Sequence, residues 1–181
     1  MVRILTLGAK QLDYNRKIDI TEISLNKPVA TQNNCLWGST MIKLSGGKVS
    51  SSWKNWVYCN YDEMDYKYGI SFKLHRNSKI LEIASMDDYI NIMKKYKIKN
   101  VYSDKYSLDF VKISKEYDAF HITEDAFWEL RMPMDSDFYK LKYEDFYSYD
   151  AESWIIFNLD SINRGSTLYH NNIVAGYEGD Y

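Results

Sequence analysis

The sequence predicts an α+β fold, and three observations carry that prediction. Segments that alternate apolar and polar residues come in runs, with few helical segments between them. The helical segments are short, and Ser marks the starts of three of them. Only 8 Gly and 2 Pro occur in 181 residues, so no long linker divides the chain and residues 1–181 read as one domain.

The elements follow in order. RILTL (3–7) is a short strand closed by Gly8. KIDITEISL (17–25) alternates Ile with polar residues, as a half-buried strand or an extended edge does. NKPVATQNN (26–34) has loop chemistry, and CLWGSTM (35–41) returns to strand character. A turn at Gly46-Gly47 leads into a helix capped by Ser51 or Ser52, with Trp53, Trp56 and Val57 on one face. YGISFKLH (68–75) alternates Ile70, Phe72 and Leu74, and KILEI (79–83) follows the turn residues Asn77 and Ser78. SMDDYINIMKKY (85–96) places Ser85 and Asp88 at capping-box spacing. SLDFVKISKEYD (107–118) repeats the pattern with Ser107 as the cap and Asp109 in the first turn. AFHIT (119–123) is a strand, and EDAFWELRM (124–132) is one or two helical turns stopped by Pro133. SWIIFNL (153–159) is the most apolar strand, and STLYHNNIVAGY (166–177) supplies a last edge strand.

Composition narrows the function classes. Hydrophobic residues are 45% and charged residues 27%, the balance of a folded domain rather than a disordered one. A net charge of −2 provides no strong field for nucleic acid or acidic lipid. The one basic cluster, KKYKIKN (94–100), ends a predicted helix, where Lys complements the helix dipole. Aromatics reach 16%, with 17 Tyr; they fit a half-buried or binding surface, or a drift shared with the abundant Lys, Asn and Ile. The first residues lack the apolar core and small-residue cleavage site of a secretory signal, and no apolar run approaches the roughly 20 residues of a membrane span. Cys35 and Cys59 are expected as free thiols in a reducing cytoplasm.

Several chemistries lack their motif. The chain has no P-loop and no G-x-G-x-x-G after a strand. Its three histidines, His75, His121 and His170, are scattered without zinc spacing, so no metal ligands are assigned. His121 alternates with Phe120 and Ile122 and reads as a core or interface histidine. More informative is YDAESWIIFNLDSI (149–162), where Glu152 stands at the mouth of an apolar strand. Such a carboxylate either caps a loop in solvent or sits at the rim of a cleft, where it can hold a sugar hydroxyl or a developing positive charge.

The element order and two short motifs resemble the ADP-ribosyltransferase family, in particular its small bacterial and phage members. LWGST (36–40) resembles the second-strand motif, in which a hydroxyl braces the active site, and AESWIIFN (151–158) resembles the third motif, in which a Glu contacts the nicotinamide ribose. The resemblance covers most of the chain. It implies two small mixed or antiparallel sheets that form a cleft for NAD, with peripheral helices. Glu152 would hold the ribose, Ser39 or Thr40 would position it, and Asp150 of the D-A-E triplet would activate the acceptor. Trp37, or one of the helix pair Trp53 and Trp56, would stack on the nicotinamide or wall it in; for the helix pair the other reading is core packing. Gly8 and Gly38 border the cleft. The family usually offers Arg or His in the first strand, and here Arg3 is available while Thr6 occupies the place nearer the pocket. The partners implied are NAD and an acceptor that is a protein, a nucleic acid or a small molecule, a protein foremost, as for a cytoplasmic toxin or an anti-defence factor in an infected host. The contrasting reading is a binding or inhibitor protein that acts through an aromatic-rich face without chemistry.

Overall fold

The computed structural model describes residues 2–18, 20, 23–24, 27–28, 35–60, 66–100, 103–133, 136–146 and 149–176. Along the chain come β1 (Ile4–Leu7), β2 (Ile23–Ser24), β3 (Lys27–Pro28), β4 (Leu36–Thr40), β5 (Ile42–Lys43) and β6 (Val49–Ser50). Next are α1 (Ser52–Asn60), β7 (Tyr68–Leu74), β8 (Ile80–Ile83), α2 (Met86–Tyr96), β9 (Lys97–Lys99), β10 (Tyr106–Leu108) and α3 (Phe110–Glu116). The chain continues through β11 (Ala119–Ile122), α4 (Glu124–Arg131), α5 (Ser136–Lys140), β12 (Ser153–Ile156) and β13 (Ile162–His170).

The class is α+β, as predicted, but the arrangement of sheets differs from the expectation. Seven strands form one sheet in the order β13-β7-β1-β4-β12-β11-β8, accompanied by three two-stranded ladders. Only β11 and β8 run parallel within the large sheet; its other neighbours are antiparallel. The two expected sheets are joined because β4 serves both sides. Its Ser39 and Thr40 pair with Leu5 and Ile4 of β1, while Leu36, Trp37 and Gly38 pair with Ile156, Ile155 and Trp154 of β12.

Strand alternation sends side chains to the two faces of the sheet. On one face Ile4, Phe72, Trp154 and Ile156 cluster with Leu159 and Ile162. On the other, Phe120, Ile122 and Ile155 pack with Tyr89 and Met93 of α2, Phe110 and Ile113 of α3, and Phe127 of α4. The helix starts follow local chemistry. Ser51 Oγ accepts from the Lys54 amide at 3.2 Å, Ser85 from Asp88 at 3.2 Å and Thr123 from Ala126 at 3.3 Å. In α3 the cap is Asp109, which accepts from Lys112 at 2.9 Å; Ser107, the expected cap, is committed to the β9–β10 ladder opposite Ile98.

Two strand readings change. SWIIFNL stops as a strand at Ile156, because the Phe157 and Asn158 amides both turn onto the Asp118 carbonyl, at 2.9 and 3.1 Å. The last strand begins at Ile162 rather than 166 and carries an irregularity between Asn163 and Thr167. The readings of 17–25 and 26–34 fall largely outside the described residues; within them Ile23–Ser24 pairs with Lys27–Pro28. Among the described residues, no helix is long and apolar enough to cross a membrane.

Candidate functional site

The junction on β4 creates an unusual position. Antiparallel pairing with β12 covers Leu36 to Gly38 and ends there. Continued by two residues, the same register sets Glu152 opposite Thr40. The chain has left the ladder by that point, so a side chain takes over the role of the strand: the Thr40 amide donates to Glu152 Oε2 at 2.8 Å. Ser39 Oγ donates to the same oxygen at 2.5 Å. Thr40 Oγ1 donates to Oε1 at 2.7 Å, and in turn accepts from Trp154 Nε1 at 3.0 Å.

A fourth donor comes from β11. His121 Nε2 lies 2.7 Å from Glu152 Oε1, and its Nδ1 lies 2.9 Å from Glu82 Oε2 on β8. Glu82, His121 and Trp154 are direct cross-strand partners and so share a face. Trp154 stacks on the imidazole with centroids 3.9 Å apart and planes 13° from parallel. From the sequence His121 reads as a core or interface histidine. It is buried, but between two carboxylates. The recoverable signal was a polar residue at the centre of each of two apolar strands, Glu82 in KILEI and His121 in AFHIT.

Glu152 is only 3% exposed. Burial pushes its carboxyl pKa up, but hydrogen bonds from His121, Ser39 and Thr40 together outweigh burial and hold it below the ordinary value. A carboxylate has about four lone-pair positions. Here two donors meet each oxygen, so the charge is fully satisfied.

Beside this carboxylate lies a cleft of about 330 Å³ between α1, α4 and the segment 150–152. Trp56, Trp128, Arg131, Asp150 and Glu152 are among its lining residues. Ser52 Oγ donates to Glu124 Oε2 at 3.1 Å across the two helices. The Arg131 guanidinium lies over the Phe127 and Trp128 rings at 5.5 and 5.7 Å.

No family model, curated protein or solved structure matches this chain.

The structure therefore brings together Ser39, Thr40 and Glu152, and sets Asp150 and Trp56 along the adjoining cleft. The remaining candidates do not line this cleft. Arg3 reaches across β7 instead, donating to Ser71 Oγ at 2.7 Å and Thr167 Oγ1 at 3.3 Å. Thr6 donates to the Trp37 carbonyl at 2.8 Å and so ties β1 to β4. Gly8 ends β1 at φ 76°, its amide bonded to the Tyr68 carbonyl at 2.8 Å. Gly38 is a packing glycine: a Cβ there would sit 2.5 Å from Ile4 Cγ2. Trp37 faces the larger core and packs on Tyr149 with centroids 5.7 Å apart. Trp53 and Trp56 are both half-buried, and the buried residues of α1 are Lys54 and Val57. Among the described residues, no group of three or more His, Cys, Asp or Glu is arranged to hold a metal ion.

Proposed function

We propose that the protein cleaves NAD at its nicotinamide–ribose bond and transfers the ADP-ribosyl group to a macromolecular acceptor. The observation that supports this reading most is the meeting of Ser39, Thr40 and Glu152, from the early and late parts of the chain, at the edge of an aromatic-walled cleft. In the reaction the bond between the sugar carbon and the pyridinium nitrogen breaks. Its electron pair leaves with nicotinamide, and the sugar passes through an oxocarbenium-like state. An ionised Glu152 stabilises that positive charge. Its depressed pKa suits the task, because it stays ionised at neutral pH. For a ribose hydroxyl to reach it, one of the four internal donors must turn away, and the Ser39 hydroxyl can do so by rotation about one bond. Asp150, exposed on the cleft, takes the proton of the acceptor nucleophile as it attacks. Arg131 is the cation placed along the cleft for the phosphates, a part that Arg3 was expected to play.

The test is release of nicotinamide from NAD, with a mass shift on acceptor proteins. Glu152→Gln should lower turnover about 100-fold or more, corresponding to ~3 kcal/mol of lost charge stabilisation. Unchanged turnover in a folded mutant refutes the assignment.

One observation favours a second reading, a binding protein without chemistry. Glu152 is nearly inaccessible, and its acceptor positions are all occupied within the protein. A rise in melting temperature with NAD, but no released nicotinamide, would select that reading.

A further inference from the structure

We propose that His121 is a positioning residue for Glu152 and that Glu82 holds the imidazole to that task. The proposal deepens the ADP-ribosyl transfer reading and rests on it for its functional consequence, while the arrangement itself stands on geometry.

The three groups are aligned by the sheet. The β8–β11 and β11–β12 registers place Glu82, His121 and Trp154 side by side on one face, with Glu152 two residues before Trp154. Ionised carboxylates only accept hydrogen bonds. With Glu82 Oε2 at 2.9 Å from Nδ1 and Glu152 Oε1 at 2.7 Å from Nε2, both ring nitrogens must donate when both acids are ionised. The ring is then an imidazolium, and the trio carries one net negative charge rather than two. Trp154 fixes the ring plane by stacking, and its own Nε1 holds the Thr40 hydroxyl that also meets Oε1. The contacts close a loop from His121 through Glu152, Thr40 and Trp154 back to His121.

A purely structural account leaves two features idle. Without His121, Glu152 would still accept three hydrogen bonds from Ser39 and Thr40, so its burial does not require a fourth. The Glu82 side chain is 53% exposed and can be solvated by water, so its aim at Nδ1 is not forced by burial. What the pair adds is orientation: Glu82 anchors Nδ1, which aims the Nε2 proton at Glu152, and that proton sets where Oε1 points.

The experiment compares wild type with His121→Phe, His121→Gln and Glu82→Leu, scoring kcat and KM for nicotinamide release, with melting curves as a control. Phe keeps a flat ring against Trp154 and removes the donor; Gln restores a donor. A misaligned charge-stabilising group costs about 100-fold. We expect His121→Phe to lose about that factor in kcat with KM little changed, His121→Gln to recover part of it, and Glu82→Leu to lose several-fold. Equal kcat in His121→Phe and wild type overturns the proposal, as does an equal loss in the Phe and Gln variants. If wild type releases no nicotinamide, the transferase reading fails, and ring-nitrogen NMR of His121 decides the positioning claim alone. Two slowly exchanging ring protons should then be seen, the Nε2 proton shifted by Glu152→Gln and the Nδ1 proton by Glu82→Leu. Absence of either proton, or no shift in either variant, overturns it.

Discussion

Thr40 grips Glu152 twice, with its amide on Oε2 at 2.8 Å and its hydroxyl on Oε1 at 2.7 Å. The first bond is what a strand partner would have made with backbone. The second belongs to the side chain and can be removed by itself. Thr40→Val keeps the shape and the amide bond but strips one donor from a buried charge and the acceptor from Trp154 Nε1. We expect a loss of about 1–3 kcal/mol, read from the urea midpoint, with Thr40→Ser losing much less. Equal losses in the two variants would show that the methyl, not the hydroxyl, matters there.

The depressed carboxyl of Glu152 makes stability depend on acid. Its folded pKa lies below the ordinary 4.5, so near that value the unfolded chain binds more protons than the folded one. The resulting stabilisation is complete above the ordinary value and is lost as pH falls through the folded one. Glu152→Gln lacks this component. The stability gap between wild type and Glu152→Gln should therefore narrow as pH drops below about 4.5. A gap that stays constant over that window contradicts the hydrogen-bonded charge described above.

Gly38 tests the junction of the sheet. An added Cβ would lie 2.5 Å from Ile4 Cγ2 and 3.1 Å from the Leu5 carbonyl oxygen, and the latter is backbone that cannot turn aside. Gly38→Ala should destabilise by about 1–3 kcal/mol, visible as a lowered denaturant midpoint with an unchanged slope. A neutral result would mean that β1 and β4 can move apart at little cost.

The two thiols should behave differently. Cys59 is exposed, whereas Cys35 is buried and its thiol is pushed up to about 11, chiefly by burial. An aromatic disulfide reagent should titrate one thiol quickly in the native protein and both after unfolding. Fast reaction of both thiols in the native state would show that the region around Cys35 opens readily.

Particular residues show what could be read before the fold was known. Glu152 stood out because a carboxylate opening an apolar strand is chemically conspicuous, and Ser39-Thr40 because two hydroxyls follow a Trp-Gly pair. The caps of α1 and α2 were legible because capping is local, a matter of residues three apart, whereas α3 is capped by Asp109 and not by Ser107. His121 was not legible, since its partners lie 39 and 31 residues away and only strand register brings them together. Arg3 was misplaced for a related reason. Alternation tells which residues share a face with Arg3, but not which neighbouring strand its long side chain will reach. The single large sheet was hidden too, because nothing local announces that one strand will pair on both edges.

That double pairing sets an order of assembly. Ser39 and Glu152 are 113 residues apart, and β4 leaves the ribosome long before β12 exists to join it. β1, β4 and β7 can form a ladder early, leaving one edge of β4 open. The carboxylate site therefore waits for β12, and its contacts span a long stretch of chain, the kind of closure that slows folding. A nascent or truncated polypeptide that stops short of β12 carries the hydroxyl pair and an exposed sticky margin, without the carboxylate those hydroxyls hold.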